Sequence, residues 1–262
     1  MYKRIMAFVV ILLLSMCVLA FGAETPEEAL KKAFPDIKAD SMKETLMKGI
    51  YEIVVDSRIA YFHPESGTLI IGKLIGKDGK DITKDRMNEI IVAKVKDIPL
   101  DKAIKIGSGK NTVIEFTDPD CPYCRQASEF LSKRNDVTRY VFLSPIAQLH
   151  PKAEEKAKYI LCSKDRVKTF EEVLAGKHDD GKYEVCKDEK VDALLKEYFE
   201  ISQKIGIGMI YGTPFLVING TVVQGANIPV IQSLLENKKE DAASKKEGKP
   251  KEGKPKEDKP KE

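Results

Sequence analysis

Hydrophobic and polar positions change their period several times along the chain, and each change marks an element. Over residues 24–34, Ala29, Leu30, Ala33 and Phe34 fall on one side of a helix, with lysines and glutamates opposite. That spacing is amphipathic, and Pro35 ends it. From Ile50 the period shortens: residues 51–55, 59–62 and 68–71 are rich in β-branched and aromatic side chains. Asp56-Ser57 and residues 63–67 between them have turn chemistry, so the pattern predicts a small antiparallel sheet behind a helix. Lys73-Leu74-Ile75 extends the last strand toward an Asp78-Gly79 turn. A unit of about 60 residues buries little by itself, and its open sheet edge suits pairing with a second copy.

Residues 83–96 return to helical spacing, with Met87, Ile90, Ile91 and Val95 three and four apart, and end before Pro99. A stiff helical connector of this kind would hold two domains at a set distance. A second domain begins near Asp101. Residues 111–117, Asn-Thr-Val-Ile-Glu-Phe-Thr, form a mostly apolar run, as expected for the buried centre of a sheet. A helix follows over 125–134, with Ala127, Phe130 and Leu131 inward, then a strand over 138–143. Helical patterning fills 152–163, 167–175 and 191–205. Strands at 214–218 and 221–223 flank Asn219-Gly220, a hairpin signal, and 229–237 closes as a helix. The fold class is therefore α+β: a small N-terminal α+β domain, a linker helix, then an α/β domain with a mixed sheet and a helical insertion.

The two ends are of different character. Lys3 and Arg4 precede an apolar run over 5–20, the pattern of a secretory signal peptide. Ala20-Phe21-Gly22 favours cleavage before Ala23. The run is near the ~18-residue length of a spanning helix, so an uncleaved anchor is an alternative. Lipidation of Cys17 is another, against which stands the bulky Met16. Beyond Asn237 only Lys, Glu, Gly, Pro, Asp, Ser and Ala occur, with Lys-Glu-Gly-Lys-Pro twice in succession. With no larger apolar side chain to offset ordering entropy, a solvated disordered tail is expected, with weak attraction to anionic surfaces as a lesser possibility. The boundaries are 1–22 signal, 23–82 N-terminal domain, 83–100 linker helix, 101–237 catalytic domain and 238–262 tail. A formal net charge of +3 spread over this length leaves no nucleic-acid footprint.

Once Cys17 leaves with the signal, four cysteines remain: Cys121, Cys124, Cys162 and Cys186. An even number in an exported chain suggests disulfides, and the close and distant pairs suggest separate jobs. The strand ending at Thr117 runs into a helix starting around Cys121, which sets the first sulfur beside unpaired helix amides. Such a setting lowers a cysteine pKa from about 8.5 to roughly 3.5–7.5, each unit being worth about 1.4 kcal/mol. Cys121 is then the attacking sulfur, and Cys124, one turn later, resolves the mixed disulfide. Pro122 suits a first helical turn. The competing reading is half a zinc site. No second close Cys or His pair accompanies it, and His63, His150 and His178 are scattered. At Thr213-Pro214 a proline opens a strand. A cis bond there, which sequence cannot reveal, would turn the Thr213 backbone toward an extended client. Glu115 interrupts an apolar strand six residues before Cys121. Desolvated, it could relay protons to or from Cys124; at a strand edge it would simply face solvent.

The run from Phe116-Thr117-Asp118 to Cys121-Pro122-Tyr123-Cys124, the later Cys162 and Cys186, and Gly212-Thr213-Pro214 together resemble the DsbC/DsbG family of periplasmic disulfide isomerases. The cysteine motif alone is shared by all thioredoxin-like proteins. Its combination with the spaced second pair and a small preceding domain is far more specific, and the resemblance spans about residues 24–237. It implies a V-shaped homodimer joined through the N-terminal domains, with thioredoxin-like catalytic domains facing a cleft. It implies Cys121 as nucleophile and Cys124 as resolving thiol. Thr213 and Pro214 would form a cis-proline loop that binds clients with Pro122 and Tyr123. Cys162 and Cys186 would form a structural disulfide. No metal or cofactor is implied. A bridge closing about 25 residues stabilises by roughly 3–4 kcal/mol in the chain-entropy picture. The implied partners are unfolded or misoxidised exported proteins and a membrane thiol reductase of the DsbD type.

Two features depart from the simplest isomerase pattern. Pro122-Tyr123 matches the DsbG side of the family rather than the Gly-Tyr of DsbC, and Glu115 stands where DsbC is expected to carry an apolar residue. Both bear on the direction of electron flow. The leading expectation is isomerisation or reduction of non-native disulfides in the periplasm. The alternatives are an oxidase donating its own disulfide and a holdase chaperone that needs no cysteine.

Overall fold

A computed structural model describes residues 24–207 and 212–236; the signal segment and the tail expected above lie outside the described residues. The chain divides into two compact units between Thr83 and Lys84.

In the first unit, helix α1 (Pro26–Ala33) starts at a capping box: the Thr25 hydroxyl accepts from the Glu28 amide, and the Glu28 carboxylate accepts from the Thr25 amide. Both would otherwise be orphan donors of a helix start. The buried face of α1, Ala29 and Leu30, packs on Ile53 and Phe62. These belong to an antiparallel sheet of β1 (Ser41–Glu44), β2 (Tyr51–Val55), β3 (Arg58–His63) and β4 (Thr68–Ile70), in that spatial order. Asp56 and Ser57 both take positive φ, 48° and 63°, in the two-residue connection between paired Val55 and Arg58, where such turns match strand twist. Strand β1 was not legible because Ser-Met-Lys-Glu has no apolar alternation; its backbone pairing with β2 holds it. Residues 73–75 do not extend β4. Ile75 instead bridges to Asp81 around the Gly79 turn, and the Leu74 amide donates to the Thr83 hydroxyl.

The second unit holds most of α2 (Ile82–Val95) and a short 3-10 turn at Leu100–Lys102. Its sheet comprises β5 (Ile104–Ile106), β6 (Asn111–Thr117), β7 (Val137–Leu143), β8 (Phe215–Ile218) and β9 (Thr221–Gln224), ordered β5-β7-β6-β8-β9. Only β6 and β7 run parallel; they are joined through α3 (Pro122–Ser132), as a parallel pair requires a crossover. Helices α4 (Ala153–Cys162), α5 (Arg166–Leu174) and α6 (Glu189–Lys204) form the insertion before β8, and α7 (Ile228–Glu236) follows β9. One core joins Val113, Leu131, Leu216 and Ile218 to Ile231 and Leu235 of α7. Elsewhere Phe142 stacks on Phe116 and meets Tyr198 of α6 edge-on. Between β8 and β9 the hairpin turns on Asn219 and Gly220, φ 50° and 86°. The central position of β6 is what matters for the chemistry, because its C-terminal end delivers the cysteines to the edge of the core.

Candidate active site

Strand β6 ends at Thr117, and a tight turn carries the chain into α3. The Cys121 amide donates to the Asp118 carbonyl (3.2 Å), and the Asp120 amide donates to Asp118 Oδ1 (2.8 Å). Cys121 is the extended residue preceding the first helical residue, and Pro122 occupies the first turn, where its missing N–H costs nothing. Cys124, one turn later, is fully buried, whereas Cys121 retains 5% exposure. Both are free thiols. The Cys121 Sγ donates to the Thr213 carbonyl (3.3 Å), and the Asp118 amide donates to Cys124 Sγ (3.3 Å). The Thr213–Pro214 peptide is cis. Pro122 and Tyr123 are exposed, Tyr123 by 63%. Thus the Cys121–Cys124 turn and the Thr213–Pro214 loop, 92 residues apart from Cys121 to Thr213, converge on one spot.

The two sulfurs are driven apart electrostatically. Hydrogen bonding from the Cys124 thiol, then from the Cys124 and Tyr123 amides, draws the Cys121 pKa down to about 5 against the opposing effect of burial. Burial, reinforced by the hydrogen bond to Cys121, pushes Cys124 far above the ordinary thiol range. The first sulfur is therefore the one that ionises readily, giving up the hydrogen bond that its thiol form donates to Thr213, and the second is the one that holds its proton.

Three charged groupings surround the pair. Asp118, wholly buried, accepts from the Asp120 and Ile146 amides and lies 3.0 Å from His150 Nδ1. Asp120 and Asp179 engage Arg125 and Lys156. Arg125 grips Asp179 through both terminal nitrogens (2.6 and 2.7 Å) and reaches Asp120 at 3.2 Å, while Lys156 bridges both carboxylates. Beneath α3, Glu115 Oε2 accepts from Arg139 Nη2 (2.8 Å) and Nε (3.1 Å), and Nη2 also donates to Ser128. Glu115 therefore lies in the central strand with no exposure, not at a solvent-facing edge. It is also not a lone desolvated acid, because a guanidinium holds it. The strands themselves carried this signal. Arg139 pairs with Val113 across parallel β6 and β7, and Glu115, two residues on, shares that face. One buried acid and one buried base on adjacent central strands imply each other. His150, Lys156 and Asp179 lie on the helical insertion and its loops, which no local pattern ties to the cysteines.

Cys162 and Cys186 are joined in a disulfide, Cα–Cα 5.8 Å, and so are not available to complete a zinc site with Cys121 and Cys124. Among the described residues no cluster of three or more His, Cys, Asp or Glu side chains could hold a metal ion.

Comparison with known proteins places this geometry. Residues 20–84 match the disulfide bond isomerase protein N-terminal domain, and residues 99–236 match the thioredoxin-like domain. A probable thiol:disulfide interchange protein DsbC of Bordetella avium is 29% identical over 203 residues, covering 76% of this chain and 69% of that relative. The DsbC protein of Escherichia coli K12 is 25% identical over 199 residues, 74% of this chain and 79% of the relative. A disulfide interchange protein from Neisseria gonorrhoeae superposes with a TM-score of 0.45 at 33% identity, over 53% of this chain and 96% of that one. With its isomerase-type N-terminal domain ahead of a thioredoxin-like one, the chain belongs to the DsbC/DsbG family of thiol:disulfide interchange proteins.

Proposed function

We propose that Cys121-Pro122-Tyr123-Cys124 is the redox centre through which this chain isomerises or reduces non-native disulfides in exported proteins. As a family member the chain is a thiol:disulfide oxidoreductase; the proposal concerns direction, residues and compartment. The observation that carries it is an isomerase-type N-terminal domain at residues 20–84 ahead of a thioredoxin-like domain in which Cys121 meets the cis Thr213–Pro214 loop. The Cys121 thiolate attacks one sulfur of a client disulfide, forming a mixed disulfide and releasing a client thiolate. That thiolate can attack another client disulfide and, through rearrangement, expel Cys121 unchanged, which is isomerisation. Alternatively Cys124 loses its proton and attacks Cys121 Sγ. The client then leaves as a dithiol, and the enzyme holds a Cys121–Cys124 disulfide. A membrane thiol reductase of the DsbD type would return the two electrons.

Deprotonating Cys124 requires a base, and Glu115 is our candidate. It shares a face of β6 with Thr117, the residue at which the strand gives way to the cysteine turn, and its Oε1 is buried without a hydrogen-bond partner. Glu115→Gln should lengthen the life of the mixed disulfide; an unchanged lifetime removes the role. Client binding would use the Thr213 and Pro214 loop with exposed Tyr123. Homodimerisation through the first unit is supported by its two sheet edges, β1 and β4, and by exposed Leu46, Ile71 and Ile75. Export to the periplasm is part of the proposal, supported by the family and by the basic-apolar pattern of residues 3–20. Among the described residues no helix is long and apolar enough to cross a membrane.

The test is repair of a scrambled disulfide protein in a glutathione buffer. Wild type should restore the native pairing and Cys121→Ser should not; full repair by the variant sinks the proposal. A second reading, oxidation of clients, is favoured by the low Cys121 pKa itself. A stable thiolate stabilises the reduced centre and makes its disulfide a better oxidant. Acid trapping and alkylation in the intact cell separates them: a reduced pair means isomerase or reductase, an oxidised pair means oxidase.

A further inference from the structure

Residues 175–188 contain neither helix nor strand, yet this segment is fastened at two ends of its business. At one end is the Cys162–Cys186 disulfide. At the other is Asp179, whose carboxylate is gripped by Arg125, the residue following Cys124, and by Lys156. Arg125 in turn reaches the Pro119 carbonyl (3.4 Å) and Asp120 (3.2 Å), both in the turn that presents Cys121. Lys156, only 4% exposed, joins Asp120 to Asp179. The loop comes close enough that a side chain at Gly176, which sits at φ +79°, would meet Asp179 Oδ2 at 3.1 Å and Arg125 Nη1 at 3.4 Å. Between anchor and grip, Tyr183 packs against Tyr159 of α4 at 5.1 Å, and His178, just before the grip, meets the same ring edge-on at 5.0 Å, so the segment is held along its length.

We propose that Asp179 is a positioning residue coupling the distant disulfide to the reactive centre: the disulfide fixes the loop, the loop delivers Asp179, and Asp179 neutralises and holds Arg125 and Lys156 beside Cys121. The inference rests on Cys121–Cys124 being the redox couple. Two carboxylates and two cations balance within this cluster. Without Asp179, one positive charge is left over near the start of α3, where the thiolate forms. Positive charge there favours the thiolate, and the thiolate exists only in the reduced state, because the disulfide is uncharged.

The measurement is the equilibrium protein disulfide + 2 glutathione ⇌ protein dithiol + glutathione disulfide, on the full chain, with folding checked by near-ultraviolet circular dichroism. Asp179→Asn should move the constant toward the dithiol by roughly threefold to tenfold, as a partly screened unit charge at such range allows. Tenfold corresponds to about 30 mV. Asp179→Glu should return it to within about twofold of wild type on the same scale. Lys156→Met should move it the opposite way. Cys162→Ser/Cys186→Ser should move it in the sense of Asp179→Asn, and adding Asp179→Asn to that background should change little more. A folded Asp179→Asn protein with an unchanged constant overturns the proposal. So do shifts of the same sign in Asp179→Asn and Lys156→Met, which would mean loosening rather than charge. A full Asp179→Asn shift retained in the disulfide-free background overturns the coupling. If Asp179→Asn does not fold, Lys156→Met decides alone: no shift sinks the idea. A wild-type chain that does not exchange with glutathione at all would instead sink the underlying assignment of the redox couple.

Discussion

Replacing Glu115 by Leu is the sharpest single perturbation of the catalytic unit. The side chains of Glu115 and Arg139 are 0% and 2% exposed, and they meet at 2.8 Å. Removing the carboxylate leaves a guanidinium with Ser128 and the Phe170 ring, 5.4 Å away, as its remaining company. Breaking one partner of a buried pair costs about 3–5 kcal/mol. In a unit of this size each kcal/mol moves the transition by about 2–4 °C, so the drop should fall near 6–20 °C. Arg139→Met should also destabilise, toward the lower end, because an orphan carboxyl can escape its charge by taking a proton. Glu115→Leu/Arg139→Met removes both charges, and roughly neutral stability is expected because neither desolvation penalty remains. Urea and thermal unfolding followed by tyrosine circular dichroism completes the double-mutant cycle. The two units can melt separately, so the cycle uses the transition that the single variants shift. A double variant as unstable as the two singles added together would refute the reasoning, as would a Glu115→Leu cost below about 1 kcal/mol on the same scale.

Other outcomes follow from the same geometry. Cys121 is depressed in the folded state to about 5, so between that pH and the unfolded thiol value the unfolded chain binds more protons and stability rises with pH. Above the unfolded value the raised Cys124 reverses the sign, because only the unfolded chain gains that charge. The reduced protein should therefore gain stability over the oxidised one from about pH 5 to roughly 8.5 and lose it beyond; parallel pH profiles for the two forms would contradict the assignment. Alkylation of Cys121 should be fast down to near pH 5 and slow only below it. Cys162→Ser/Cys186→Ser should lose about 3–4 kcal/mol in urea unfolding, and a loss under about 1 kcal/mol would mean that the loop is ordered without its bridge. A chain starting at Lys84 should sediment as a monomer that exchanges with glutathione but repairs scrambled proteins poorly; a dimer there would move the proposed interface out of the first unit.

What was legible in the sequence is what local chemistry encodes. Long periodic segments such as α6 and the apolar run of β6 declare themselves, and so does the Asn219-Gly220 hairpin, because each depends on residues within one turn or one strand. Short polar strands do not. Strand β1 exists through backbone pairing to β2, so its own side chains do not announce it; β5, Ile-Lys-Ile, does alternate, but three residues are too few for a period to stand out, and pairing to β7 defines it. The cysteine pair, its helix start and the Thr213-Pro214 loop could be named from spacing and resemblance. The charges around them could not. His150 reaches Asp118 across 32 positions, and Asp179 reaches Arg125 across 54. Such contacts are set by how the helical insertion folds back over the cysteine turn. Glu115 lay between these cases: visible as an anomaly in an apolar strand, but ambiguous until Arg139 was recognised as its partner.

The arrangement of these charges bears on how the thiolate is made. Every acid near the cysteines lies within hydrogen-bond reach of a base: Glu115 with Arg139, Asp120 and Asp179 with Arg125 and Lys156, Asp118 with His150. The first two groupings cancel in charge, and the carboxylate of the third also accepts two amide hydrogen bonds. A balanced surround exerts little net field, so Cys121 must owe its ionisation to short-range donors, the Cys124 thiol and the first amides of α3, as the causes of its shift indicate. Short-range hydrogen bonds are nearly blind to salt, whereas a field from uncompensated surface charge fades over about 8–10 Å at ordinary ionic strength. The Cys121 titration midpoint should accordingly stay in place between low and high salt in the wild type, and become salt-dependent once Asp179 is neutralised. A wild-type midpoint that climbs steeply with salt would mean that the surrounding charges, and not the helix start, hold the sulfur ionised.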